Sequence, residues 1–206
     1  MTEDDAQSWT TERFGAEATE RLTAFVAMVV EEAPHQNLIA PSTIPTIWDR
    51  HVVDSLQLVA LAGADTSSKR WLDIGTGGGF PGMVVALVRK GPVDLVEPRR
   101  RRADFLQLCV ARLGLGEQVR VHASKVENAT ADASIISARA VASLQNLLRG
   151  AAHCATTKTR WLLPRGRFDE EELAALKQHW RFMFHVEQSV TNPESSIVVL
   201  DRVSAR

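Results

Sequence analysis

Five glycines fall within eight residues, from Gly75 to Gly82, directly behind the short apolar run Trp71-Leu72 and the acid Asp73. An apolar stretch follows from Pro81, a residue suited to the first turn of a helix because its missing N–H costs little there. Strand, glycine-dense turn and helix in that order form the opening unit of an open parallel sheet, with a small ligand held at the turn. Glycine lets the backbone approach a ligand closely and take positive φ. A plain helix-capping loop has no need of five.

Gly77-x-Gly79-x-x-Gly82 also matches the dinucleotide fingerprint letter for letter. Asp73 argues against that ligand. A pyrophosphate is held by backbone N–H groups and a helix N-terminus, not by a carboxylate at the strand tip. S-adenosylmethionine has no phosphate and carries two cationic groups, a sulfonium and an α-ammonium, which suit an acid there. Glu97 ends the apolar run Val93–Val96, 24 positions after Asp73. That is near the roughly 20-residue spacing of a ribose-binding acid, and a carboxylate can accept from both ribose hydroxyls. An acid favoured by a helix N-terminus would also stand here, but spacing and strand-end position together point to ribose. The candidate cofactor contacts are therefore Asp73, Gly75, Gly77, Gly79, Phe80 and Glu97.

The rest of the chain alternates. Strands are predicted near 71–74, 93–96, 119–122, 133–137 and 159–163, and helices near 81–89, 100–113, 143–154 and 169–179. Alternation implies a doubly wound parallel sheet. Phe182–Gln188 and Ile197–Asp201 are β-rich around Thr191-Asn192-Pro193-Glu194, which predicts a terminal hairpin of antiparallel edge strands. Upstream, residues 10–33 read as one amphipathic helix with Phe14, Leu22, Phe25, Val26 and Val29 at helical spacing. Pro34 ends it, 34–49 are irregular, and Arg50–Leu61 is helical again. The expected fold is α/β: a Rossmann-like class I S-adenosylmethionine-dependent methyltransferase sheet (67–206) with an N-terminal helical region (1–66) packed on it as one globular unit.

A length of 206 residues, 45% hydrophobic, is enough for one good core. The formal charge of −1 announces no global basic field, but 19 of the 24 basic residues are Arg and four stand together at Arg99, Arg100, Arg101 and Arg102. Arg forks onto phosphate better than Lys. High-GC coding would equally enrich Arg, and a solvated helix face is an alternative for at least two of the four. Cys109 and Cys154 offer neither a disulfide framework nor metal spacing, so no metal is expected and a reducing cytoplasm is the simplest location. Met1–Trp9 is acidic and unlike a signal peptide, and no apolar run reaches the length of a membrane span.

The chain resembles the RsmG family of bacterial 16S ribosomal RNA guanine-N7 methyltransferases, also called glucose-inhibited division protein B. The resemblance runs from about Asn37 to the C-terminus. Its marks are Asn37-Leu38, Arg50-His51-x-x-Asp54-Ser55, the glycine loop, Glu97-Pro98 with its basic run, Val126-Glu127, and Arg139-Ala140-x-Ala142-Ser143-Leu144. It departs from the pattern at Ile39, where a Thr is usual, at Arg165, where a Lys is common, and at Gly78, often Pro in relatives, which is expected to loosen the loop. The resemblance implies methyl transfer to N7 of guanine 527 in the 530 loop of 16S rRNA. It implies the 30S subunit or an assembly intermediate as partner, and Val126 and Glu127 flanking the adenine; the chain is expected to be a monomer. It also places Arg50 and His51 at the cofactor or RNA entrance, where an Arg50–Asp54 helix pair is the plainer alternative.

Some chemistry needs no resemblance. Guanine N7 has a free lone pair, so in-line transfer from a sulfonium requires alignment and no general base. Arg139 follows the strand 133–137 at the edge where open sheets bind ligands and is the candidate for cofactor contact or base positioning. By the resemblance Arg50, His51 and Arg165 join the basic run Arg99–Arg102 as the candidate RNA contacts. Phe80, ahead of Trp48, is the candidate wall for stacking an extruded base. A non-catalytic assembly factor, a small-molecule methyltransferase and an NAD-dependent enzyme remain as alternatives.

Overall fold

The computed structural model describes residues 1–139, 143–166 and 169–206. The motif positions Ala140 and Ala142 lie outside them. Seven strands form one sheet: β1 Trp71–Ile74, β2 Val93–Val96, β3 Val119–His122, β4 Ile135–Ala138, β5 Arg160–Arg165, β6 Trp180–Gln188 and β7 Ser196–Ala205. The order is β3-β2-β1-β4-β5-β7-β6. The first five are parallel, and the terminal hairpin adds β7 antiparallel to β5 with β6 outside it. β1 therefore lies between β2 and β4, with Leu95 and Ser137 as the cross-strand neighbours of Asp73. The parallel strands begin and end within a few residues of the expected positions. Buried parallel strands are short apolar runs between turns, and such runs read cleanly in sequence.

Helices cover both faces. On one side α3 (Gly82–Val88) and α4 (Arg100–Arg112) join α1 (Glu3–Glu32) and α2 (Asp54–Ala62) in a cluster that includes Trp71, Leu95 and Val119. On the other, α5 (Leu144–Ala151) and α6 (Glu170–His179) cover Leu72, Ile136 and Trp161.

Two N-terminal expectations change. The first helix starts at Glu3, not near residue 10, because Thr2 and Asp5 form a reciprocal capping box with both bonds at 3.1 Å. It is also broken at Gly15, whose φ of 84° and ψ of 166° are not helical. The second begins with a π-helical turn, Trp48–Val53, before α2. Glu3 caps that turn, accepting from the backbone N–H groups of Trp48 and Asp49 at 3.1 Å each. A π-turn adds a residue per turn and rotates the side chains out of α-helical stacking. Asp54 accordingly pairs with Arg139 and not with Arg50.

α1 packs straight onto the glycine loop. A Cβ on Gly79, where φ is +103°, would lie 2.4 Å from Cζ of fully buried Phe25. Gly79→Ala should cost about 2–4 kcal/mol from φ strain plus overpacking. In urea unfolding, adding Phe25→Leu should relieve the overpacking part, so that the double variant loses less than the sum of the two singles. Strict additivity would mean that the ring and the loop do not press on each other.

Candidate active site

The loop is built around a buried carboxylate. Asp73 is fully enclosed. Its Oδ1 accepts from Ser137 Oγ at 2.6 Å and its Oδ2 from the Gly82 N–H at 3.0 Å. Ser137 Oγ accepts in turn from the indole N–H of Trp71 at 2.8 Å. Burial pushes the Asp73 carboxyl up to about 6, against the pull of the Ser137, Thr76 and Gly82 hydrogen bonds and the Arg139 charge. This differs from an acid held out at a strand tip. Asp73 ties β1 to β4 and to the start of α3, and so shapes the loop from beneath.

Glu97 stands at the far side of the loop, almost fully buried. Its Oε2 accepts from the Gly77 N–H at 2.9 Å and its Oε1 from the Arg99 N–H at 2.8 Å. Each oxygen keeps further acceptor capacity. A Cβ on Gly77 would meet nothing nearer than 3.8 Å, the atom there being Nη1 of Arg102. Gly78 behaves otherwise. A Cβ there would lie 2.9 Å from the Leu38 Cβ and 3.0 Å from its carbonyl oxygen. Glycine at this position admits a close approach of segment 35–39 and does not loosen the loop.

The arginine run divides. Arg101 Nη2 donates to the His35 carbonyl at 3.1 Å, and Arg102 Nη2 donates to the Asn37 carbonyl. Both hold the 35–37 segment beside the loop. Arg100 pairs with Asp104 at 2.9 Å, one turn along α4, and Arg99 is exposed. Arg99, Arg100 and Arg101 are exposed, and Arg102 is half-buried. Val126 and Glu127 lie on a 3₁₀ turn after β3, where Glu127 Oε1 comes within 3.2 Å of the position of a Cβ on Gly150 of α5. Among the described residues no hydrogen bond joins Glu127 to the glycine loop.

Beside the loop opens a cleft of about 700 Å³, lined by Leu38, Thr43, Arg50, His51, Asp54, Arg139, Arg165, Ser189 and Ser196 among others. It lies at the carboxyl ends of β4 and β5, where open α/β sheets bind ligands. Arg139 is its central cation, with 22% of its side chain exposed. Nη2 donates to His51 Nδ1 at 3.0 Å, and Nη1 reaches the Arg50 carbonyl at 3.4 Å. Arg165 pairs with Glu172 at 2.8 Å, and the other oxygen of Glu172 accepts from the N–H of Leu144 at the start of α5.

Phe80 is 3% exposed, with its ring centroid 5.3 Å from that of Phe25 and 5.0 Å from that of His51. Arg139 Cζ sits 5.6 Å from the same ring. Phe80 is therefore a floor under Arg139 and His51, not an exposed stacking wall, and Trp48 at 4% is core. The cleft wall that sequence reasoning did not name comes from the β6–β7 turn. Ser189 and Thr191 donate to Asp54, and Gln57 Oε1 accepts from the Val190 N–H at 3.1 Å. Its hydroxyl-rich composition is the one signal in the chain that could have pointed there.

An open sheet in this order, with a glycine loop behind β1 and an acid behind β2, is the fold of the S-adenosylmethionine-dependent methyltransferases, and the chain falls in that class. It superimposes on a SAM-dependent methyltransferase from Aquifex aeolicus with a TM-score of 0.60 at 16% identity, over 85% of this chain and 96% of that one. Cofactor-bound Rv0187 from MTB gives 0.63 at 15% identity, over 98% of each chain. Within the class, residues 18–198 match the model of GidB, rRNA small subunit methyltransferase G, and the chain belongs to that family. Proteins named ribosomal RNA small subunit methyltransferase G are similar along most of its length. That of Sphingopyxis alaskensis is 48% identical over 94% of this chain and 84% of its own. That of Rhizorhabdus wittichii is 43% identical over 100% and 95%. Among the described residues, no helix is long and apolar enough to cross a membrane, and no three His, Cys, Asp or Glu side chains are grouped to hold a metal.

The hydrogen bonds fix the state of His51. A guanidinium only donates, so Nδ1 carries the lone pair. Nε2–H then donates to Thr43 Oγ1 at 2.8 Å, whose own proton goes to the Ala40 carbonyl. Burial, followed by the Arg139 and Arg50 charges, lowers the imidazole to about 3. The folded value lies below the ordinary one, so this residue weakens the fold as pH falls from about 6.5 toward 3. Imidazole nitrogen NMR should show the Nε2–H tautomer unchanged from about pH 5 to 8. A titration midpoint near 6.5 would contradict the assignment.

Proposed function

We propose that this enzyme transfers a methyl group from S-adenosylmethionine to N7 of a guanine in the 530 loop of 16S rRNA, acting on the 30S subunit or an assembly intermediate. Methylation of small-subunit rRNA is what its family membership carries. The choice of guanine N7 is supported by one observation: Arg139 stands at the boundary between the glycine loop and an open polar cleft. In this reading its remaining N–H groups would take the O6 of a base whose N7 points toward the loop.

The residues present fit the cofactor. A side chain at Gly77 would meet only the end of Arg102 and the Gly75 carbonyl oxygen, both at 3.8 Å, and the acids around the loop suit a cationic molecule without phosphate. Gly75, Gly77 and Gly79 would hold it along the backbone, Glu97 would take the ribose hydroxyls, and Val126 and Glu127 would border the adenine. Arg102, which lies against Gly77, gives way at that corner. When bound, S-adenosylmethionine supplies a methyl group already activated on a sulfonium.

The chain's own part is alignment and electrostatics. Guanine N7 holds no proton, so no side chain has to remove one. The ring gains positive charge as it reacts. Neutral His51 adds none, and Arg139 is flanked by Asp54 at 3.7 Å and influenced by the charge of Asp73. With both carboxylates ionised, Asp54 and Asp73 offset the charges of Arg139 and Arg50, so the charge that develops on the ring does not meet a net cationic site.

Incubation with labelled S-adenosylmethionine and 30S particles from a strain lacking the gene, followed by borohydride–aniline cleavage, tests the proposal. It predicts one cut, in the 530 loop. Label incorporated without a cut there would assign another position or atom, and no incorporation would refute the activity on that particle. Glu97→Ala should weaken S-adenosylhomocysteine binding by about 1–3 kcal/mol in calorimetry, because buried ribose hydroxyls lose their acceptor. Unchanged affinity would remove Glu97 from the cofactor site.

A further inference from the structure

We infer that Asp54 reads the Watson–Crick edge of the target guanine and sets the preference for guanine over other bases, an inference that rests on the function proposed above. The two carboxylate oxygens of Asp54 are unequally used. Oδ1 accepts from Gln57 Nε2 at 2.9 Å, Thr191 Oγ1 at 3.0 Å and Ser189 Oγ at 3.3 Å. Three donors on one oxygen fix the plane of the group. Oδ2 has Arg139 Nη1 at 3.7 Å, beyond hydrogen-bond length, and the residue lines the cleft with 19% of its side chain exposed. Among the described residues no donor comes within hydrogen-bond distance of Oδ2, so this oxygen keeps acceptor capacity beside its ion-pair partner Arg139.

The neighbour decides which donors. Arg139 can only donate and Asp54 Oδ2 only accept, and they stand side by side. Guanine presents the matching order along one edge, the acceptors N7 and O6 followed by the donors N1–H and N2–H. With O6 on Arg139, N1–H and N2–H fall toward Asp54, and N7 is the atom left facing the glycine loop. Adenine reverses the order, setting its 6-amino group against the guanidinium and its N1 lone pair against the carboxylate. The pair therefore attracts guanine and repels adenine, and specificity gains from both. A flipped base is read at this edge because it is unpaired.

The test uses 30S particles rebuilt with 16S rRNA carrying either guanine or inosine at the methylated position. Inosine keeps N7, O6 and N1–H and lacks only the N2 amine. For the wild-type enzyme, kcat/KM for N7 methylation should fall roughly 10–100-fold with inosine, as expected for losing a hydrogen bond to a charged group. Asp54→Ala should react with both particles at rates within about two-fold, with S-adenosylhomocysteine binding measured alongside to show an intact cofactor site. Asp54→Asn, which keeps an oxygen for Gln57, Thr191 and Ser189, should level the two rates in the same way if the alanine variant does not fold. A purely structural role for Asp54 would lower both rates and leave their ratio at the wild-type value, which would overturn the inference. Wild-type enzyme that made no N7-methylguanine on the guanine particle would instead overturn the proposed function, and the inference with it.

Discussion

The buried carboxylate of Asp73 is the contact on which the site depends. It receives Ser137 from the neighbouring strand and the Gly82 N–H from the start of α3, and Ser137 is held in turn by Trp71. A fully enclosed acid is expensive unless hydrogen-bonded, and the rise of its carboxyl to about 6 reports that cost. In exchange the chain fixes three things at one point: the middle of β1, the end of β4 and the entry to α3. The glycine loop has its shape because both of its ends are tied to this group. A Cβ on Gly82 would come within 2.7 Å of Asp73 Oδ2, so the helix start approaches as closely as the backbone allows.

From that anchor the site grows outward in layers. Phe25 of α1 presses on Gly79, and Leu38 presses on Gly78. Phe80 leaves the loop to support His51 and Arg139 from below. Arg139 then links the loop to the π-turn, and Asp54 links the π-turn to the β6–β7 hairpin. The cofactor side and the acceptor side are thus one connected assembly. The N-terminal helices contribute to it directly, because their buried residues share a cluster with β1 and α3.

Much of this was legible in the residues. The parallel strands stood out as short apolar runs, and the loop announced its place behind β1. The spacing from Asp73 to Glu97 located the second strand end. Other features needed three dimensions. Asp73 reads as a strand-tip acid because its bond to Ser137, 64 positions away, is invisible in the local sequence. Arg101 and Arg102 also bond carbonyls of a segment about 65 positions earlier, which no local pattern shows. The π-turn cannot be told from an α-helix by apolar spacing, and it is what turned Asp54 from Arg50 to Arg139. The hydroxyl wall at Ser189 and Thr191 reaches the cleft because β7 inserts between β5 and β6, a pairing no local pattern reveals. The start of α1 is legible in the Thr2–Asp5 capping box, which lies ahead of the apolar spacing that begins near residue 10.

The most direct measurement is a crystal structure with S-adenosylhomocysteine bound. The account predicts that Asp73 keeps its bonds to Ser137 and Gly82 out of reach of the ligand, that Glu97 receives the ribose hydroxyls, and that Arg102 has moved off Gly77. An Asp73 carboxylate turned out to touch the ligand, with Ser137 released, would contradict the claim that this acid shapes the site from beneath.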